Sequence, residues 1–227
     1  MQITHGVRSA FAAAIAFMLV ACGIADTGKG TDAARPDTRV AAISADPQTR
    51  ACFARLGTMG ARFTPLPDRY LDQGCAQIGT VQLQMMAGDS GQLAATNLGP
   101  VACPVAESFA NWTRFAVDRA ARQILGSPLR SIETFGSYSC RNIAGSRRRS
   151  AHATSEAIDV SAFVLADGRR ITLVDGWNGS ARERQFLRTV MASACRRFDT
   201  VLGPDYNAAH RDHFHLEGVR DGGGFCR

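Results

Sequence analysis

Two long segments of the chain repeat their hydrophobic residues at helical spacing. The first is opened by Cys103-Pro104 and closed by Gly126, and its apolar residues return mostly every three or four positions. Proline suits a first helical turn and glycine suits a stop. The second segment runs from Ser180 to Phe198 and shows the same spacing. The pattern therefore predicts two main helices, each with one apolar face.

Shorter stretches alternate apolar and polar residues or form brief apolar runs, which is typical of β-strands. Asp167-Gly168 is a tight-turn signal that joins two of them into a hairpin. We interpret 51–77 as an irregular, disulfide-closed extension and 88–100 as a polar loop. The predicted fold class is α+β, with a small antiparallel sheet flanked by the two helices. The predicted strands are 78–83, 129–138, 157–165, 171–174, 200–203 and 212–216.

The first 48 residues follow neither pattern. Arg8 precedes an apolar, alanine-rich run at 10–21, which is short for a membrane span and typical of an export signal. The run ends in LVAC, which resembles the bacterial lipobox, where cleavage precedes a cysteine that is then lipidated. An ordinary signal peptide with a chance cysteine is the alternative. We predict a lipoprotein signal peptide at 1–21, a flexible tether at 22–48 that starts at lipidated Cys22, and one domain at 49–227. We predict a periplasmic lipoprotein that is anchored to a membrane, and we favour the outer membrane.

Composition adds an expectation about partners. The chain has 227 residues, of which 45 % are hydrophobic and 20 % are charged, as in globular proteins. Its net charge of +6 favours an anionic surface such as lipid headgroups or a cell-wall polymer. The basic run Arg147–Arg149 has no interleaved aromatic residues, so we interpret it as a solvated loop and expect no nucleic-acid partner. We expect a monomer.

The cysteines support export. Without Cys22, six of the seven cysteines remain, an even number that suits three disulfides in an oxidising compartment. No C-x-x-C pair is present, so a cysteine-based zinc site is disfavoured. Pairing nearest neighbours along the chain predicts the bonds Cys52–Cys75, Cys103–Cys140 and Cys195–Cys226.

Four of the five histidines lie in two short motifs, one at His152 and one between His210 and His215. Histidine is the commonest ligand for transition metals. Asp159 begins a predicted strand seven residues after His152, and His215 lies on another strand, so the three side chains can meet. Two histidines and one carboxylate with an open fourth position form a catalytic zinc site, although copper and nickel accept the same ligands. The alternative is that these are ordinary core or surface histidines.

A zinc hydrolase also needs a group that accepts a proton from water. Asp212 and His213 both lie close to His215 in the sequence. Strand alternation places His213 on the same face as His215, but both candidates remain open. His210 receives only a flanking or substrate-side role.

The first histidine motif resembles a motif of known enzymes. It resembles S-x-H-x-x-G-x-A-x-D of the zinc D,D-peptidases and related peptidoglycan endopeptidases, the LAS superfamily. Ser150, His152, Ala157 and Asp159 match it, and Ser155 stands where the family usually has glycine. This resemblance implies that His152 and Asp159 are ligands of Zn²⁺.

The second motif resembles two variants of the same superfamily. In the E-x-W-H variant Asp212 occupies the position of the carboxylate base, and in the H-x-H variant His213 and His215 match. The resemblance implies His215 as the third zinc ligand and leaves the base as Asp212 or His213. Arg141 is the nearest equivalent of an upstream arginine that stabilises the oxyanion.

A wider resemblance covers about 52–227. Over this range the chain is similar to the bacterial extensin-like protein C-terminal domain family. The matching residues are Cys103-Pro104, Trp112, GSYSCR at 136–141, FLR at 186–188 and GPDYNAAHRDHFH at 203–215. The metal motif implies zinc-dependent hydrolysis of a peptide bond in peptidoglycan, of carboxypeptidase or endopeptidase type. The alternatives are a non-catalytic wall-binding or envelope-organising lipoprotein with a peptidase-like fold, and an esterase or amidase acting on other wall polymers.

Overall fold

Residues 42–227 are described by a computed structural model of the protein. The predicted signal peptide, Cys22 and most of the predicted tether lie outside these residues. Within the described part, no helix combines the length and the hydropathy needed to cross a bilayer. The last two residues of the predicted tether belong to a helix that begins at Pro47.

Both predicted main helices are present. The first begins at Cys103 and continues through two π-helical segments until Gly126, which takes a left-handed φ of 76°. The second is capped at its N-terminus by a capping box between Ser180 and Glu183. A further helix lies where the sequence predicts irregular structure, because only two of its residues, Cys52 and Leu56, are buried and its apolar pattern is weak. The helices are α1 (Pro47–Thr58), α2 (Cys103–Trp112, extended by Thr113–Asp118 and Ala121–Leu125), α3 (Leu173–Gly176) and α4 (Ala181–Ala194).

Within residues 42–227, the strands form a mixed ten-stranded sheet and a separate two-stranded hairpin of β2 and β3. The main path runs β1-β4-β5-β7-β8-β11-β10-β12, with β6 paired to β4 and β9 paired to β8. The strands are β1 (Arg62–Pro65), β2 (Arg69–Asp72), β3 (Cys75–Gln77), β4 (Thr80–Ala87), β5 (Gln92–Thr96), β6 (Pro100–Ala102), β7 (Leu129–Gly136), β8 (Ala157–Leu165), β9 (Arg170–Thr172), β10 (Thr200–Leu202), β11 (Phe214–Glu217) and β12 (Phe225–Cys226).

The α+β class is confirmed, but the prediction of a small antiparallel sheet is wrong. The sheet has ten strands, and two of its pairs, β5 with β7 and β10 with β12, are parallel. β5 lies inside the segment predicted as a polar loop, and Leu93 is the only buried residue of this strand. Strands of two to five residues carry too few positions for an alternating pattern, so pairing with distant strands decides them.

The core lies where the two main helices pack on β8. The ring of Trp112 in α2 is fully buried and packs edge-on against Phe163 of β8. Phe163 in turn packs edge-on against Phe186 of α4. The indole N–H of Trp112 donates to the carbonyl of Val190 in α4 at 2.9 Å, which satisfies its buried donor. This packing buries β8, the strand that carries Asp159, in the centre of the sheet.

All six cysteines of the domain form disulfides. The predicted bond Cys195–Cys226 is confirmed and holds the C-terminal strand. The other two predicted pairings are wrong, because the bonds formed are Cys52–Cys103 and Cys75–Cys140. Their Cα atoms lie 6.1 and 5.5 Å apart, within the range that a disulfide requires. Pairing by sequence neighbours fails because the fold brings α1 against the start of α2, and β3 against the segment that follows β7.

Candidate metal centre

The pairing of β8 with β11 builds the centre of the site. These strands are antiparallel neighbours, and Asp159 lies directly opposite His215 in their register. Residues opposite each other in such a pair have Cβ atoms about 5 Å apart, so their side chains meet on one face. The Nδ1 atom of His215 lies 2.9 Å from Oδ1 of Asp159. Phe214 and Leu216 point to the other face, into the core.

A tight turn before β8 supplies the third side chain. Residues Ala151–Thr154 form a 3₁₀ turn, and Oγ of Ser150 accepts a hydrogen bond from the backbone N–H of His152 at 3.4 Å. The turn ends at Ser155, which takes a left-handed conformation with φ 60°. Glycine adopts this conformation most readily, so the serine makes the same turn with some backbone strain. The turn places the His152 ring against both Asp159 and His215.

The three predicted ligands come together. The Nε2 atom of His152 lies 3.1 Å from Oδ2 of Asp159 and 3.1 Å from Nδ1 of His215. Three potential ligand atoms, one from each residue, all lie within 4.8 Å of one another. Ligands bound at about 2.0–2.1 Å in a tetrahedral site lie about 3.3 Å apart, so the spacing fits one shared metal ion. Both imidazoles are buried, which also suits a metal site.

Two outer contacts determine which ring nitrogens face the centre. The carbonyl of Ser137 lies at hydrogen-bond distance from Nδ1 of His152, so this nitrogen donates and Nε2 is left as the ligand atom. The Oε2 atom of Glu217 lies 2.9 Å from Nε2 of His215, so that nitrogen donates and Nδ1 faces the centre. Neither Ser137 nor Glu217 is among the residues that the sequence predicts for the site. Glu217 lies two residues after His215 on the same strand, so strand alternation could have identified it.

The protonation of the cluster follows from these contacts. Burial alone would raise the pKa of the Asp159 carboxyl, but hydrogen bonds and charge from His152 and His215 hold that pKa well below its usual range. Burial favours a neutral His215, but hydrogen bonds to Asp159 and Glu217 raise its pKa to about 9. The hydrogen bond from His215 lowers the pKa of Glu217. Without metal, His215 is therefore a cation between two carboxylates, and a metal ion must displace its proton.

The two candidate bases form a pair. Oδ1 of Asp212 lies 2.9 Å from Nδ1 of His213, and Nε2 of His213 lies 3.7 Å from Oδ1 of Asp159. If Nδ1 of His213 donates to Asp212, Nε2 is left as an acceptor that points to the centre. His210 lies beside this pair, with its ring centroid 5.1 Å from that of His213. Burial and then the nearby charges of His213 and His215 lower the pKa of His210 to about 4, so it is neutral at pH 7.

Arg141 lies at the rim and outside the cluster. It is exposed, and its backbone carbonyl accepts a hydrogen bond from Ser150 at 3.1 Å. Its positive charge is one of the causes that lower the pKa of His210. The structure therefore places Arg141 near the site without direct contact with the three clustered residues.

A mixed α+β domain with a buried His–His–carboxylate cluster at one face of its sheet belongs to the class of candidate metalloproteins. The comparisons with known proteins narrow this to a family. The chain belongs to the family described as "Extensin-like protein C-terminus", whose family model matches residues 50–227. No curated protein and no solved structure matches the chain.

Proposed function

We propose that this protein is a zinc-dependent hydrolase that cleaves a peptide bond in peptidoglycan. The observation that carries the proposal is the set of three ligand atoms from His152, Asp159 and His215, which lie within 4.8 Å of one another. A structural zinc site is normally closed by four protein ligands. Three protein ligands leave a coordination position for a reacting group.

The donor set favours zinc among the common metals. Two imidazole nitrogens and one carboxylate oxygen suit zinc, whereas magnesium and calcium prefer oxygen ligands alone. Zinc held by such a set acts as a Lewis acid and makes water acidic near neutral pH. The rings of His152 and His215 are oriented for this purpose by Ser137 and Glu217.

We assign the general base to His213 and the role of orienting it to Asp212. Nε2 of His213 faces Asp159 at 3.7 Å, whereas the Asp212 carboxylate lies behind the ring at Nδ1. An aspartate in this position fixes the tautomer of the imidazole and stabilises its charged form after it takes a proton. Arg141 is exposed at the rim, and in this proposal its side chain extends to stabilise the substrate oxyanion.

Support for peptidoglycan comes from the motifs at 150–159 and 212–215 and from the charge of +6, which suits an anionic wall. In this proposal Cys22 carries the lipid that keeps the exported protein at the membrane, within reach of the wall. The alternative function is binding to the wall without turnover.

Metal analysis combined with digestion of purified peptidoglycan tests the proposal. The wild type should bind about one zinc per chain and release soluble peptide fragments, and a chelator should stop the release. His152→Ala and Asp159→Asn should lose both zinc and cleavage, whereas Asp221→Asn, an exposed control, should keep both. Zinc-loaded protein that binds peptidoglycan but releases no fragment would establish the non-catalytic role instead.

A further inference from the structure

A groove of about 470 Å³ opens beside the candidate metal centre. One wall is the end of β7 and the residues after it, 135–138, and the other is the segment 97–100. Two residues connect the groove to the site. Ser137 holds His152 through its carbonyl, and the Phe135 ring lies edge-on to His213 with centroids 5.8 Å apart. The groove is therefore lined at this end by residues that contact His152 and the proposed base.

The groove exists because two paired strands separate. β5 and β7 pair in parallel from Ala94 to Thr96, and the last links between them are made by Thr134 and Asn97. Asn97 and Gly99 then both take left-handed conformations, with φ 58° and 72°. These two positions turn the chain away from β7 and into β6, which pairs with β4 instead. The groove is the space left between these two backbone segments, which no longer form hydrogen bonds with each other.

The walls of the groove present backbone peptide groups that are free to form hydrogen bonds with a ligand. Among residues 42–227, the backbone N–H and C=O groups of Leu98 and Tyr138, which lie outside the strands, make no hydrogen bond to another backbone group. A separated pair of segments with unpaired peptide groups accepts an extended peptide, because main-chain hydrogen bonds then complete the ladder. A sugar chain lacks the regular amide spacing that would satisfy both walls.

The lining indicates the kind of peptide. The groove is lined by no charged side chain from the described residues, and its polar side chains are those of Gln82, Asn97, Ser137 and Tyr138. Phe135 is 57 % exposed, a large apolar surface at the end that meets the metal centre. An uncharged segment with small side chains suits this lining, since burying an unpaired charge there would be unfavourable. The volume lies within the usual range of small-ligand pockets.

We propose that this groove is a binding subsite for an extended, uncharged stretch of peptide, which lies beside 135–138 and leads its reacting bond to His213. Its role as a substrate subsite rests on the proposed function, but peptide binding itself does not. The two can therefore be tested separately.

Binding is measured by NMR titration of the metal-free full chain, in which cleavage cannot occur. The probe is acetyl-tetra-alanine amide, and its comparison is the same peptide with one central amide nitrogen methylated. The wild type should bind the first peptide, and the methylated peptide should bind about tenfold more weakly because it loses a main-chain hydrogen bond. A peptide-free wall disaccharide is the third probe and should not shift groove resonances.

Two variants and a matched control assign the site. Phe135→Ala should weaken peptide binding about fivefold through lost apolar contact, and Gln82→Phe should fill the groove and weaken it about tenfold. Phe115→Ala removes another exposed phenylalanine, which lies on α2's extension and outside this groove, so it should leave binding unchanged.

Each contrary result has a definite meaning. The inference is overturned if the wild type binds no peptide or if it binds the disaccharide in place of the peptide. It is also overturned if both groove variants bind the peptide as tightly as the wild type does. Peptide binding in the groove without any cleavage by zinc-loaded protein overturns the proposed hydrolase function and leaves the groove assignment standing. If the zinc-loaded protein cleaves peptidoglycan and KM is unchanged in both groove variants, the hydrolase function stands and the assignment of the groove as a substrate subsite is overturned.

Discussion

The Oε2 atom of Glu217 lies 2.9 Å from Nε2 of His215, and Oδ1 of Asp159 lies 2.9 Å from Nδ1 of the same ring. One imidazole is thus held between two carboxylates. Asp159 lies on the neighbouring strand β8, and Glu217 lies on the same strand as His215, β11. Asp159 shares the centre with the ring, whereas Glu217 supports the ring from outside. A carboxylate in the outer position fixes the ring orientation and increases the basicity of the ligand nitrogen.

Replacing Glu217 by glutamine should weaken zinc binding about 10–100-fold, because the ring loses its charged hydrogen-bond acceptor. The affinity is measured by competition with a chromophoric chelator at pH 7. Glu156→Gln serves as the control, since Glu156 is an exposed neighbour outside the cluster. Equal zinc affinity for the Glu217 and Glu156 variants would show that the outer carboxylate has no role in metal binding.

Replacing Asp212 by asparagine should keep zinc bound and lower kcat by about 10²–10⁴, the range that a positioned base contributes. The amide donates as well as accepts, so it stabilises the wrong tautomer of His213 and cannot stabilise the charged ring. Steady-state kinetics on a peptidoglycan fragment measure kcat, and elemental analysis measures zinc. If kcat stays at the wild-type value, Asp212 does not orient the base.

The bond Cys75–Cys140 closes a loop with a sequence separation of 65. Replacing both cysteines by alanine should lower the free energy of unfolding by about 4 kcal/mol, because the unfolded chain gains conformational freedom. Urea unfolding measures the loss, and Ser139→Ala, an exposed neighbour, should change little. Peptide mapping without reductant should recover a fragment that links Cys75 to Cys140, whereas a fragment linking Cys52 to Cys75 would contradict this pairing.

Asp89 makes the stability sensitive to acid. Hydrogen bonds from Arg119 and Arg114 lower its pKa to about 2, below the value of about 3.9 in an unfolded chain. A lowered pKa means that the ionised Asp89 stabilises the fold above about pH 4, and that this contribution is lost as the pH falls towards 2.

The corresponding measurement compares the wild type with Asp89→Asn. Urea unfolding at several pH values should show the wild type more stable at pH 5, and the difference should shrink between pH 4 and pH 2. A difference that stays constant over this range would show that the arginine contacts do not lower the pKa of Asp89.

Much of the fold is predictable where the signal is local. The helix from Cys103 and the helix after Ser180 have long apolar periodicities, and the strand Ala157–Leu165 has a continuous apolar run. These patterns identify the elements because the spacing reflects which side of each element is buried. α1 and β5 were not predicted, because each buries only one or two side chains.

Sequence motifs alone brought His152, Asp159 and His215 into consideration, and they nominated Asp212 and His213 as bases. The tertiary structure decided the rest. The register of β8 against β11 set Asp159 opposite His215, and the fold supplied Ser137 and Glu217 as outer partners. The same holds for the disulfides Cys52–Cys103 and Cys75–Cys140 and for the size of the sheet. Residues 50 to 65 positions apart leave no local pattern, so their contacts exist only once distant strands have paired.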